Sequence, residues 1–168
     1  MKPTTVLFFV FSILCVSCSH KYGIVKSKAF VREQVAGTIQ TDDNGRPKSS
    51  GVSKVHLIYV ETATDKEAPA FSTAWVDGKA YEVRPVEVKQ DSLQIGTAKD
   101  DDEPVIIHAT EGNTLWQLVL LPKTDVVPDS TIVKVIQNNP VVLTGKWNGE
   151  SFRYKIKKVE RLSPAFGK

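Results

Sequence analysis

The sequence predicts an all-β domain whose antiparallel strands form a small closed or partly open barrel, or else a two-sheet β-sandwich, with at most one short helix. Three observations predict it. Asn148-Gly149 and Asp77-Gly78 are two-residue turns of the kind that needs positive φ at both central positions, and each stands between strand-forming runs. After the first of them, Phe152, Tyr154 and Ile156 alternate with Arg153, Lys155 and Lys157, the period-two pattern of a strand with one buried and one cationic face. Short β-branched and aromatic runs, punctuated by Gly, Pro, Asn and Asp, recur along the whole body. A sheet of that content protects its edges by closing or by stacking.

The chain of 168 residues has room for one ordinary domain, and 41% hydrophobic with 24% charged residues is a composition that packs a core. A formal net charge of +3 is too small by itself to imply nucleic acid or an anionic membrane as partner. Both cysteines, Cys15 and Cys18, lie near the N-terminus, so the body holds no internal disulfide and no thiolate metal site.

Lys2 precedes an apolar run from Val6 to Phe11, followed by Ile13, Leu14 and Val16. The run is short for a membrane-spanning helix, which needs about 20 apolar residues, and its charged start and small flanking residues fit a cleavable export signal. Around it, Cys15-Val16-Ser17-Cys18 resembles the lipobox of bacterial lipoprotein precursors, with Cys15 standing where that pattern favours Leu. The resemblance implies that residues 1–17 are removed, that Cys18 is lipidated, and that Ser19 directs the protein to the outer membrane, facing the periplasm. Two or more acyl chains suffice for stable anchoring where one does not. The alternative is a soluble secreted protein cut near the same place. Residues 18–29 then read as a flexible tether, residues 30–164 as a single β domain and residues 165–168 as a disordered tail.

Within the body, residues 30–41 read as the first strand, with Val35, Gly37 and Ile39 on one face, and Asp42-Asp43-Asn44-Gly45 as a turn. Residues 37–47 loosely resemble the opening strand and turn of transthyretin-like modules. Residues 52–62 become apolar on both faces towards their end, the mark of a central strand. Residues 72–76 and 79–83 flank Asp77-Gly78 as a hairpin, and Pro85 calls for an edge or a bulge. Residues 92–97 form a short strand before the acidic patch Asp100–Glu103, and residues 105–109 are expected to pair with 115–121. Residues 129–138 are ambiguous. Pro128-Asp129-Ser130 suits a helix start, yet Ile132-Val133-Lys134-Val135-Ile136 is nearly all β-branched, which favours a strand. The last strand is expected to bend at Lys157-Lys158. A basic strand after a tight hairpin, with a short helix before it as an option, is similar to the closing part of an OB-type barrel.

No motif names a reaction. The histidines His20, His56 and His108 fall in no HExxH pattern, the serines in no GxSxG elbow, and there is no P-loop. No catalytic residue, metal ligand or cofactor is assigned. Asp100–Glu103 and Asp42-Asp43-Asn44 lack the alternating ligands of a calcium loop and read as solvated turns. The most clustered charge is Lys146, Arg153, Lys155, Lys157 and Arg161, which with Trp147 forms a candidate partner-binding face. Nucleic acid is set aside for an exported protein. Trp75, beside its hairpin turn, and His108 are candidate ligand-binding residues. The function expected is a non-catalytic binding module for an envelope protein or small ligand. A structural accessory subunit of an envelope assembly, or a hydrolase with a spatially assembled site, is the alternative.

Overall fold

The computed structural model describes residues 21–38, 41–47, 51–64, 66–124 and 126–166. The expected signal segment and Cys18 lie outside the described residues, as does Ile39. In chain order the elements are a single 3-10 turn (Lys21–Gly23), then β1 (Ile24–Val35), β2 (Val52–Ala63), β3 (Ala70–Val76), β4 (Lys79–Glu87), β5 (Ser92–Thr97), β6 (Pro104–His108), β7 (Asn113–Pro122), α1 (Ser130–Gln137), β8 (Val141–Trp147), β9 (Glu150–Ile156), β10 (Val159–Arg161) and β11 (Ala165–Phe166).

Both two-residue turns adopt the backbone their sequences demand, with φ of 48° and 80° at Asp77-Gly78 and 51° and 79° at Asn148-Gly149. The main sheet runs β10-β1-β2-β7-β4-β3-β8-β9, with β11 added beside β1. All neighbours in that order are antiparallel except β1 and β10, which are parallel. β9 and β10 are consecutive in the chain yet sit at opposite ends of the order, so the sheet curls until Lys157 and Lys158 bridge its two ends. The result is an open, curled eight-strand sheet, a partly open barrel with one short α-helix.

Period-two alternation fills its interior. Ala29, Ile58, Val76, Leu118, Leu143 and Phe152, from six different strands, belong to one buried cluster. Each such side chain larger than alanine contributes about 1.5–3 kcal/mol through the apolar surface it removes from water. The outer face is covered in two places. The β5–β6 hairpin lays Ile95 and Ile107 over Phe30, Tyr59 and Leu115, while α1 lays Ile132 and Ile136 over Trp75 and Val142. β2 is therefore apolar on both faces because Ile58 and Val60 point in while Tyr59 lies under the hairpin.

Several expectations are corrected. Residues 130–137 are helix, not strand. Asp129 caps it, its Oδ1 accepting the Thr131 backbone N–H at 3.0 Å, and the four-residue spacing of Ile132 and Ile136 docks both on Trp75. That capping and burial outweigh the weak helix propensity of a β-branched run. β6 pairs with β5 rather than β7, and β7 is central, between β2 and β4. Leu115 on one face and Leu118 on the other give β7 two apolar sides, which an isolated hairpin could not bury. The first strand begins at Ile24, inside the expected tether, because Ile24 and Ala29 are buried. It ends at Val35, where residues 41–47 close as a turn on Asp42, whose Oδ1 accepts the N–H groups of Asn44 and Arg46. In the expected tail, Ala165 and Phe166 pair with Gln34 and Val35. Pro85 lies in the half of β4 that pairs with β7 alone, where a missing N–H on the other side costs nothing.

Candidate binding surfaces

The cationic face expected around the last hairpin is divided by the fold. Arg153 points outward beneath α1 and donates to the Thr131 hydroxyl at 2.7 Å, so it docks the helix. Trp147 serves the foot of the sheet, where the chain enters. Its ring lies edge-on to Tyr22, Tyr22 stacks on Phe152, Phe152 meets Phe71, and the indole N–H donates to the Glu67 carbonyl at 2.9 Å. Those four rings seal one end of the interior. Lys146 is exposed beside the same turn. Arg161, on β10, lies at the opposite end.

Lys155 and Lys157 alone keep the expected setting, and the fold adds neighbours to them. β10 accompanies β1 only from Ala29 onward, so the first part of β1 faces β9 across an unpaired seam. A groove of about 380 Å³ follows that seam. Lys26 and Lys28 line one wall, Lys155, Lys157 and Lys158 the other, and buried Ala29 and Ile156 form the floor. Beneath the groove, Ser27 Oγ and Tyr154 Oη meet across the seam at 3.2 Å. Glu160 is the one acidic lining residue among the described residues, and it is paired with Lys158 at 3.1 Å. Sequence reasoning missed Lys26 and Lys28. Their signal was the Lys-Ser-Lys alternation after Ile24, which a polar tether and an edge strand share.

The end opposite the aromatic foot is a polar mouth. There a cavity of about 330 Å³ opens between β10, β1, β2 and the β3–β4 turn. In register, Val31 lies between Arg161 and His56, and Glu33 stands beside Lys54. Burial holds the His56 imidazole below its ordinary 6.5, with Lys54 and Lys79 adding to the effect and Asp77 opposing it. Its Nδ1 is buried and has no hydrogen-bond partner among the described residues.

The other candidates resolve individually. Trp75 is 6% exposed beneath α1 rather than displayed at its turn. His108 is exposed on β6, at a cavity of about 160 Å³ that also touches Lys26, Tyr59 and Glu61. Asp100–Asp102 form the exposed turn of the β5–β6 hairpin. Among the described residues no cluster of His, Cys, Asp and Glu is arranged to hold a metal ion.

Glu61, which no motif indicated, is 2% exposed. Its Oε1 accepts the Thr110 N–H at 3.1 Å and the Asn113 side-chain N–H at 2.6 Å. Burial works against its charge, but those hydrogen bonds, with Lys26 nearby, outweigh burial and hold the carboxyl below its ordinary 4.5. A depressed folded-state value stabilises the fold above pH 4.5, and that stability is lost as pH falls through the lower value. Glu61→Gln is expected to lose about 1 kcal/mol at neutral pH and to show a shallower acid decline than the parent. Urea titrations at neutral pH and below pH 4.5 check this; parallel declines would refute it.

Compared with protein-family models, curated proteins and solved structures, the chain matches none of them.

Proposed function

We propose that the protein is a non-catalytic binding module of the cell envelope, docking an acidic polypeptide segment of a partner against the lysine groove. In this reading lipid on Cys18 holds it at the outer membrane, facing the periplasm. The observation that carries the proposal is the convergence of Lys26, Lys28, Lys155, Lys157 and Lys158 on one depression where, among the described residues, Glu160 is the sole carboxylate and is paired with Lys158. Like charges brought together on a concave surface raise the local concentration of an acidic partner and its rate of encounter.

The apolar floor of Ala29 and Ile156 between the lysine walls favours a polypeptide over a planar headgroup layer, because an extended segment can lay a side chain on that floor while its carboxylates meet the lysines. Single-stranded nucleic acid is disfavoured for a different reason: among the described residues no aromatic ring lines the groove to stack a base. Five residues lie between Cys18 and Ile24, and because Lys21–Gly23 form a 3-10 turn only the three steps from Cys18 to Lys21 can extend, a reach of about 10 Å at most. A lipid there would keep the aromatic foot near the membrane and leave the groove on the flank, accessible to an envelope partner.

The test uses the protein recovered from the full precursor expressed with its own signal. An intact mass starting at Cys18 with added acyl groups supports the anchor. Cleavage without added mass overturns lipidation, and an uncleaved cytoplasmic chain overturns export as well. A labelled peptide of about ten glutamates is then titrated in at low and high salt. Tight binding that weakens with salt, and about tenfold loss in a Lys155→Glu/Lys157→Glu variant with unchanged circular dichroism, is the expected result. Absence of binding, equal binding by the variant, or binding to anionic vesicles but not to the peptide overturns the docking proposal.

A further inference from the structure

The mouth of the curled sheet has no part in the lysine groove, and its residues are assembled by register. Three successive strands place Arg161, Val31 and His56 in one row, directly above the row of Val159, Ala29 and Ile58. Ala29 and Ile58 belong to the packed interior, with Val159 against them, so the cavity sits on top of the core rather than within it. Asp77 and Pro140 stand on the facing wall, and Pro164 lies at the rim.

The chemistry of this lining is divided in two. Val31, Val159 and the two prolines provide an apolar surface. Around it stand four cationic residues, Arg32, Lys54, Lys99 and Arg161, against the carboxylates of Glu33 and Asp77. Among the described residues none of those six charges is joined in an ion pair. The surplus cations therefore face the cavity's solvent without internal neutralisation. His56 lines the same cavity, and its buried Nδ1 has no hydrogen-bond partner among the described residues. At about 330 Å³ the cavity is at the small end of the range for organic ligands.

We infer that the mouth binds a small organic carboxylate, its anionic head between Arg161 and His56 and its apolar body against Val31, Val159 and Pro140. Guanidinium groups favour carboxylates because their donors match both oxygens in one plane. Asp77 sets the selectivity by repelling anions with a second charge on the opposite side of the ring of lining residues.

Benzoate is the probe, with benzylamine and benzyl alcohol as cationic and neutral controls of the same shape. Binding to the recovered protein is followed through the His56 imidazole resonances by NMR. Benzoate is expected to shift them saturably, and the two controls are not. Arg161→Gln, at an exposed position, is expected to weaken benzoate by about tenfold without changing the thermal melt. The Lys155→Glu/Lys157→Glu variant is expected to bind benzoate as the parent does, which separates this site from the docking groove. No shift at His56, equal binding of benzylamine, or undiminished binding by Arg161→Gln overturns the inference.

Discussion

Gly145→Val is expected to cost about 3 kcal/mol or more, the largest loss from any single glycine in the sheet. Gly145 lies in β8 with Phe71 of β3 on one side and Phe152 of β9 on the other. A Cβ there would collide with the Ala70 carbonyl oxygen and come within 2.9 Å of the Phe152 ring. The register between β3 and β8 shifts between Phe71 and Thr73, next to that carbonyl. Because the obstacle is backbone held in a strand, no rotamer change relieves it, and relief would require parting β3 from β8. Gly149 makes a useful contrast: its φ is +79° but nothing lies within 4 Å of its added Cβ. Gly149→Ala should therefore lose only about 1 kcal/mol, from backbone strain alone. Urea denaturation of both variants measures the difference. A Gly145→Val protein within about 1 kcal/mol of the parent would mean that the foot of the sheet is not closely packed.

Trp75→Ala is the second large effect, at about 3–5 kcal/mol. The indole is buried against Ile132, Ile136 and Val142, and with Val142 it forms the buried platform on which α1 rests. An eight-residue helix is too short to persist in water on its own, so loss of its platform should release it. Two measurements follow the loss: global stability in urea, and amide exchange along Ser130–Gln137, which should accelerate more than exchange in β2. If Trp75 were instead a ligand platform, its removal would cost little stability and would alter only binding. A loss below about 1 kcal/mol would sink the structural role.

The course of the chain was legible wherever local chemistry decided it. Asn148-Gly149 and Asp77-Gly78 fixed two hairpins because few backbones other than their turn accommodate two positive φ values. The alternation of Phe152 and Ile156 with Arg153 and Lys155 correctly divided inside from outside. The pairing of β6 was illegible, since short apolar strands do not say which neighbour will cover them. In the segment 130–137 the start signal at Asp129 was present, but the deciding factor was Trp75, more than fifty residues earlier, offering a surface for Ile132 and Ile136. The candidate sites suffered from the same non-locality. Arg153 and Lys155 share a face in the sequence, yet α1 claims the first and leaves the second exposed. Lys26 and Lys28, at the far end of the domain, are the true companions of Lys155 and Lys157. His56, one of several polar residues in its strand, becomes distinctive only when Arg161 is set two strands away in the same row.

The bridge at Lys157-Lys158 also dictates an order of events in folding. β1 is among the first strands to be synthesised, but its outer neighbour β10 is nearly the last. During synthesis at about 5–20 residues per second, Ala29–Val31 therefore waits for almost the entire domain before its partner exists. Pairings this remote in sequence place the domain among the slower folders, on a timescale of about milliseconds to seconds. Until then the growing chain can zip β1 to β2 and fold its local hairpins, but it cannot curl shut. The last dozen residues act as the latch, and a chain that stopped at Lys157 would keep most of its hydrophobic pattern while never completing the fold.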